Sequence, residues 1–259
     1  MGKRLTKELL NKVEEFEKYL IDRGMGHQNL KYYTNISTVI PMVRKGVLFL
    51  GNGTAWNDKL DMDIFNSDNY DYVQFGKCLC FSRSESVAMW RIYAGGKNGC
   101  MIDFGTQLSK LVKSITKLDL AYVEKKRIIS RKTLTKDQFE IKLRDVAYCD
   151  DNQDGTFTMK VAENRLDKIP TDKICNVLSY CKRMCWSYEN ECRLIVKVPR
   201  LLIQEPGTEI KYNTVIIQLP EEIRQFITSR VVRSPLYPEE KWDIATMGSS
   251  LEGNVYFID

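Results

Sequence analysis

The chain has 259 residues, 43% hydrophobic and 28% charged, a balance that excludes intrinsic disorder and permits a sizeable core in one large domain or two small ones. Lys and Arg number 39 against 34 Asp and Glu, a formal net charge of +5, which admits an acidic partner such as a nucleotide without requiring one. No run approaches the roughly 18 uninterrupted apolar residues of a membrane helix. The charged N-terminus carries no apolar segment ahead of a cleavage site. A cytoplasmic setting without membrane partners is therefore expected, with the eight cysteines reduced.

Residues 5–22 place Leu9, Val13, Phe16 and Leu20 at helical spacing, which predicts an amphipathic helix within residues 1–28 with Gly24 as its C-cap. His27, in the Gly-rich joint that follows, reads as a surface residue. LKYYTNIS, from Leu30, is rich in aromatic and β-branched residues and predicts a strand. STVIPMVRKG predicts a short helix closed by Gly46, VLFLG a second strand, and NGTAWNDKLDMD a loop in which Asn57 and Asp58 suit an Asx turn. GKCLCFSRS predicts a strand with Leu79 and Phe81 on one face and Cys78, Cys80 and Ser82 on the other. ESVAMWRIYAGG predicts a helix whose Trp90 and Tyr93 share a side, and KNGCMIDF a strand after a tight turn.

Residues 105–172 read as a variable charged insertion: LAYVEKK as a strand, CDDNQDGT as a loop, EKKRIISRK as a basic, solvated face or a phosphate-binding patch. From Thr171 the apolar residues Ile174, Val177, Leu178, Cys181 and Met184 keep helical spacing, which places Cys181 and Cys185 on one helix face. On that helix Lys182 reads as a solvent-facing lysine, with approach to a phosphate as the alternative. ECRLIVKV predicts a strand stopped by Pro199, followed by the strand TVIIQL, the helix PEEIRQFITSR and a last strand NVYFI. Strands and helices alternate with joints of hairpin length, so a single α+β domain over 1–259 is expected, with a mixed or antiparallel sheet flanked by helices. No C-x-x-C occurs and His27 is the single histidine, so no metal site is expected and the cysteines read as small buried hydrophobes.

WSYENECRLIV, residues 186–196, carries the chemistry. With period-two alternation on a strand, Glu189, Glu191 and Arg193 point the same way, the carboxylates about 6–7 Å apart. Like charges this close disfavour joint ionisation unless a cation intervenes, and Arg193 is placed to be that cation. The bland alternative is a charged strand edge that resists aggregation. The chemical one is a division of labour at a glycosidic bond: one carboxylate stabilises an oxocarbenium-like ribose, the other orients or deprotonates the nucleophile.

Taken in order, Tyr33-Thr34, LFLGNGTAWND, CFSRS, MWRIYAGGKNG and KRMCWSYENECR resemble a prokaryotic family known as domain of unknown function 2971 (DUF2971). The pattern departs at Lys59, where the family carries proline, at Cys192, where it carries an aromatic residue, and at Tyr32, where a basic residue is common. A looser resemblance runs to the ADP-ribosyltransferase superfamily, through an aromatic/Thr strand, a Ser strand and an E-x-E strand. It implies a split β-sheet core and NAD as substrate. It further implies Glu191 as the catalytic carboxylate on the ribose, with Glu189 positioning the acceptor. Tyr32, Tyr33 and Thr34 would contact NAD and Ser82 would brace Glu191. Trp90 or Tyr93 would stack on nicotinamide or adenine, and Arg193 would clamp a phosphate or pair with the carboxylates. The activity implied is ADP-ribosyl transfer or NAD hydrolysis, in a defence or toxin setting. The acceptor, protein or nucleic acid among others, is not legible. Two other functions stay open: a nuclease using Asp58, Asp61, Asp63 and the Glu pair around Mg²⁺, and a nucleotide-binding module without turnover.

Overall fold

The computed structural model describes residues 4–53, 71–82, 85–94, 99–125, 127–203 and 212–235. In chain order, helix α1 (Val13–Gly26) leads into β1 (Leu30–Asn35), α2 (Ile36–Lys45), β2 (Val47–Gly51) and β3 (Tyr72–Phe81). Helix α3 (Val87–Ile92), β4 (Gly99–Asp103) and α4 (Gln107–Ser114) follow. A run of strands comes next: β5 (Lys117–Glu124), β6 (Arg127–Thr135), β7 (Glu140–Asp145), β8 (Ala147–Asp151), β9 (Phe157–Val161) and β10 (Asn164–Ile169). The last third holds α5 (Thr171–Cys175), β11 (Cys181–Arg183), β12 (Glu191–Pro199), β13 (Thr214–Gln218), α6 (Glu221–Thr228) and β14 (Val231–Arg233). The architecture is α+β, with antiparallel sheets and several helices.

Ten strands form the main sheet in the order β14-β4-β1-β3-β2-β13-β5-β6, with β12 pairing β3 and β7 in turn pairing β12. Every pairing in it is antiparallel. A second sheet runs β10-β9-β8-β11, and its β8–β11 pair is parallel. β12 lies between two neighbours and is buried along both faces from Glu191 to Val196. That is why ECRLIVKV reads as a continuous apolar run rather than an alternating one.

The largest core cluster joins α2, α4 and α6 to one face of the main sheet through residues such as Val39, Phe75, Leu111, Leu194 and Ile227. A second packs α1 on the smaller sheet through Phe16, Leu20, Met159 and Val161. A third, around Tyr33, Cys80, Trp90 and Met101, lies under α3. Gly46, at φ 61°, closes α2 in the left-handed conformation as expected. Gly24 does something else: α1 continues through it to Gly26, and a Cβ there would lie 2.7 Å from the backbone oxygen of Leu143. It is a contact glycine that lets α1 press on β7, not a cap.

Three sequence expectations are corrected. The expected helix from Thr171 to Met184 stops at Cys175; two 3₁₀ turns and the strand β11 occupy the rest. Ile174, Val177 and Cys181 do bury in one cluster, but pairing with β8 in the smaller sheet competes with helix propagation and wins. Residues 105–172 are mostly strands, and β7 sits inside the main sheet. CDDNQDGT is partly strand: its first three residues end β8, and Asn152 N–H donates to Thr156 O at 2.7 Å to close a hairpin. The strand expected at 254–258, and the loop residues Asn57, Asp58, Asp61 and Asp63, lie outside the described residues. No described helix is long and apolar enough to cross a membrane.

Candidate functional site

β3 has two unlike edges. One pairs with β12 continuously from Tyr72 to Cys80. The other meets β2 only at Gly76 and β1 only at Cys80 and Phe81. Between those contacts Lys77, Cys78 and Leu79 have no ladder partner on that edge among the described residues. The sheet is split there, and a cavity of about 350 Å³ fills the gap. Because strand side chains alternate, Lys77 and Leu79 reach it from one face of the sheet, and Cys78 and Cys80 from the other.

On the Cys80 face sit the two glutamates. They converge, but not by strand alternation. Glu189 ends the 3₁₀ turn Met184–Glu189, Asn190 turns the chain at φ 43°, and Glu191 then starts β12. Asparagine tolerates this left-handed geometry better than most residues. Lys182, on β11, closes the pair: its Nζ lies 2.6 Å from Glu189 Oε2 and 3.2 Å from Glu191 Oε2. Arg193 approaches Glu191 from beneath, with Nε 2.7 Å from Oε1 and Nη2 3.2 Å from Oε2. All four side chains are buried. Tyr93 OH donates to Glu189 Oε1, and Glu191 N–H donates to Tyr148 OH at 2.8 Å. The Lys182 ammonium also lies 4.9 Å from the Trp186 ring centroid. The expectation of Lys182 as solvent-facing is thus overturned: with the strand β11 replacing a helix, its side chain turns inward between two anions.

These contacts treat the two carboxylates unequally. Burial pushes the Glu189 carboxyl up and the neighbouring Glu191 pushes it further; Lys182 offsets only part of this, so Glu189 stays above the ordinary carboxylate range. For Glu191 burial acts in the same sense, but Arg193 and then Lys182 outweigh it and hold the carboxyl well below that range. Burial opposes the charge of Lys182, and the two glutamates overcome it and raise the ammonium. Burial and the bond to Glu189 together push the Tyr93 phenol up, in keeping with its role as donor.

Of the residues singled out from sequence, the cavity brings together Tyr32, Tyr33, Thr34, Tyr93, Glu189 and Glu191. Three stand back from it. Trp90 is buried beneath, edge-on to Tyr33 at 5.0 Å between ring centroids, with its indole N–H on Glu85 at 2.8 Å. That position braces Tyr33 and leaves no free face for a nucleobase. Ser82 is half-buried just past β3, and Arg193 supports Glu191 from behind. Sequence reasoning missed Lys77, Cys78 and Tyr148, whose approach depends on strand pairing alone. Lys182 had one signal, its place four residues before Trp186 in the KRMCWSYENECR motif. Trp186 lines the cavity too, and its buried indole N–H has no hydrogen-bond partner among the described residues.

His27 is not a surface residue. Its ring stacks on Phe81 at 4.0 Å, and Nε2 lies 2.6 Å from Asp145 Oδ1. His27, Asp145 and Cys192 bring possible ligand atoms within 4.8 Å of one another. Two observations work against a cation there. Arg23 Nε already faces Asp145 Oδ2 at 3.3 Å, and burial together with Asp145 pushes the Cys192 thiol well above its ordinary value.

Fold and site together define an α+β protein with a split antiparallel sheet and a buried, cation-bridged pair of carboxylates in the split. Residues 89–194 match the model of DUF2971, described as a protein of unknown function, so the likeness to that family covers this central segment. The matched stretch contains Tyr93, Lys182, Glu189 and Glu191; Tyr32 and Lys77 lie before it. No curated protein and no solved structure matches the chain.

Proposed function

We propose that the cleft cleaves the N-ribosyl bond of NAD, as an ADP-ribosyltransferase-like enzyme or NAD glycohydrolase. One observation carries this reading: two buried carboxylates share Lys182, and Glu191 is bonded by Arg193 as well, an asymmetry that favours the ionised form of Glu191 over that of Glu189. Pairs driven apart in this way suit an acid–base division of labour. Glu191, held ionised by Arg193 and Lys182, stabilises positive charge on the ribose as nicotinamide leaves with the bonding electrons, and accepts from a ribose hydroxyl. Glu189 accepts the proton of the incoming water or acceptor hydroxyl as the new bond to the ribose carbon forms. Tyr33 and Tyr93 offer the aromatic walls, and Tyr93 holds Glu189 in place. A metal at this pair would have to displace Lys182 and Arg193, so the nuclease alternative gains nothing from the geometry.

The test is incubation with NAD followed by mass analysis for nicotinamide and ADP-ribose, with and without a mixture of protein and nucleic-acid acceptors. Glu191→Gln is expected to lower nicotinamide release by about 10²-fold or more, with an unchanged circular dichroism spectrum. Release at the wild-type rate in that variant would remove Glu191 from the chemistry.

A further inference from the structure

We infer that Lys77 and Tyr32 form an anion subsite on the far side of the sheet split, which selects a ligand bearing a phosphate or diphosphate group next to its ribose. The inference rests on reading the cleft as a nucleotide site. Lys77 Nζ lies 2.9 Å from Tyr32 OH and 4.0 Å from the centroid of its ring. These are its contacts among the described residues, and none of them is with a carboxylate. Two other cations line the cavity, both on the face of the carboxylates: Lys182, bridged by Glu189 and Glu191, and Lys31, buried opposite Cys80. A half-buried ammonium that meets no carboxylate among the described residues favours an anionic ligand, because water is partly excluded and the phenol it holds is neutral.

Placement supports the same reading. Lys77 lies on the opposite face of β3 from Cys78, whose thiol meets Glu191. The cavity reaches both faces because the β3 edge is open between Gly76 and Cys80. The cavity therefore has a carboxylate end and an ammonium end one strand apart. A ribose at the first and a phosphate at the second is the arrangement of a nucleotide, whereas a neutral nucleoside would leave Lys77 unpaired. Trp186 adds an unpartnered donor at the carboxylate end, which suits an oxygen-rich ligand. On the phenol itself burial acts to raise the proton affinity of Tyr32, and Lys77, together with a hydrogen bond to Thr34, more than reverses this, so the pair presents a polarised phenol beside the ammonium.

The experiment is calorimetric titration of the full chain with ADP and with adenosine. Wild type is expected to bind ADP about tenfold or more tightly than adenosine, the worth of one charge-assisted contact, and the preference is expected to shrink as salt rises. Lys77→Met is expected to abolish the preference while leaving adenosine affinity unchanged; Lys77→Arg is expected to keep most of it. Equal affinity of wild type for ADP and adenosine overturns the inference whatever the variants do, as does a Lys77→Met variant that is folded and still prefers ADP. Nicotinamide release is scored separately: its absence alongside a Lys77-dependent ADP preference sinks the catalytic reading and leaves the subsite standing.

Discussion

Replacing Lys182 with Met tests the core of the site most directly. The substitution keeps length and apolar volume but removes the ammonium that lies 2.6 Å from Glu189 and 3.2 Å from Glu191. The three side chains are at most 7% exposed, so solvent cannot take over the role of the lost cation. Breaking a buried ion pair from one side costs about 3–5 kcal/mol. Glu191 keeps Arg193, so the burden falls on Glu189, whose carboxyl is already raised and would rise further. An acid whose folded value lies above its unfolded one binds more protons in the folded state. The variant's stability therefore falls as pH climbs from the ordinary carboxylate value through the raised folded one, and the deficit narrows on acidification. In wild type, the contribution of Lys182 is fully present below the ordinary ammonium value and is lost only as pH rises past its raised folded value. Urea denaturation followed by tryptophan fluorescence at pH 7.5 and pH 5 reads both effects. With a slope near the upper end of about 1–3 kcal/mol per molar urea, the midpoint at pH 7.5 should fall by roughly 1–2 M, and by less at pH 5. A midpoint shift of a few tenths of a molar that is the same at both pH values would show that the two carboxylates are solvated and that Lys182 does not bridge them.

Two further outcomes follow from the geometry of the site and one from the α1–β7 contact. If Glu189 takes the nucleophile's proton it must be ionised, so nicotinamide release is expected to rise with pH on an acid limb above the ordinary carboxylate range. Tyr93→Phe removes a donor to the ionised form and is expected to shift that limb further alkaline; a limb below pH 4 in both proteins contradicts the role. Gly24→Ala places a methyl group 2.7 Å from Leu143 O in the α1–β7 contact, and is expected to cost about 1–3 kcal/mol in thermal or urea unfolding. A neutral or stabilising result, as expected for alanine in an open helix, would show that α1 does not press on β7.

Much of the fold was legible because its signals are local. Phe16 and Leu20 repeat at helical spacing, Gly46 marks a helix end, and ECRLIVKV reads as a buried strand whichever neighbours it takes. The helix expected over 171–184 failed for the opposite reason: its periodicity was real, but β8 offered Cys181–Arg183 a ladder that no residue within the segment announces. The long run of strands from β5 to β10 was obscured by charged residues, since β6 is an edge whose side chains face solvent for most of its length.

The site divides along the same line. The sequence by itself determined that two acids and a basic residue stand close together after an aromatic turn, and its motif spacing pointed to DUF2971, because chain proximity and pattern need no fold. Only the tertiary structure decided that Lys182, and not Arg193 alone, joins the two acids. It also decided that they meet through a left-handed turn at Asn190, and that Tyr32 and Lys77 face them across an opening in the sheet. Those relations depend on which strands become neighbours and where a ladder stops. Such choices are set by the packing of segments far apart in the chain, where no single stretch of residues carries the information.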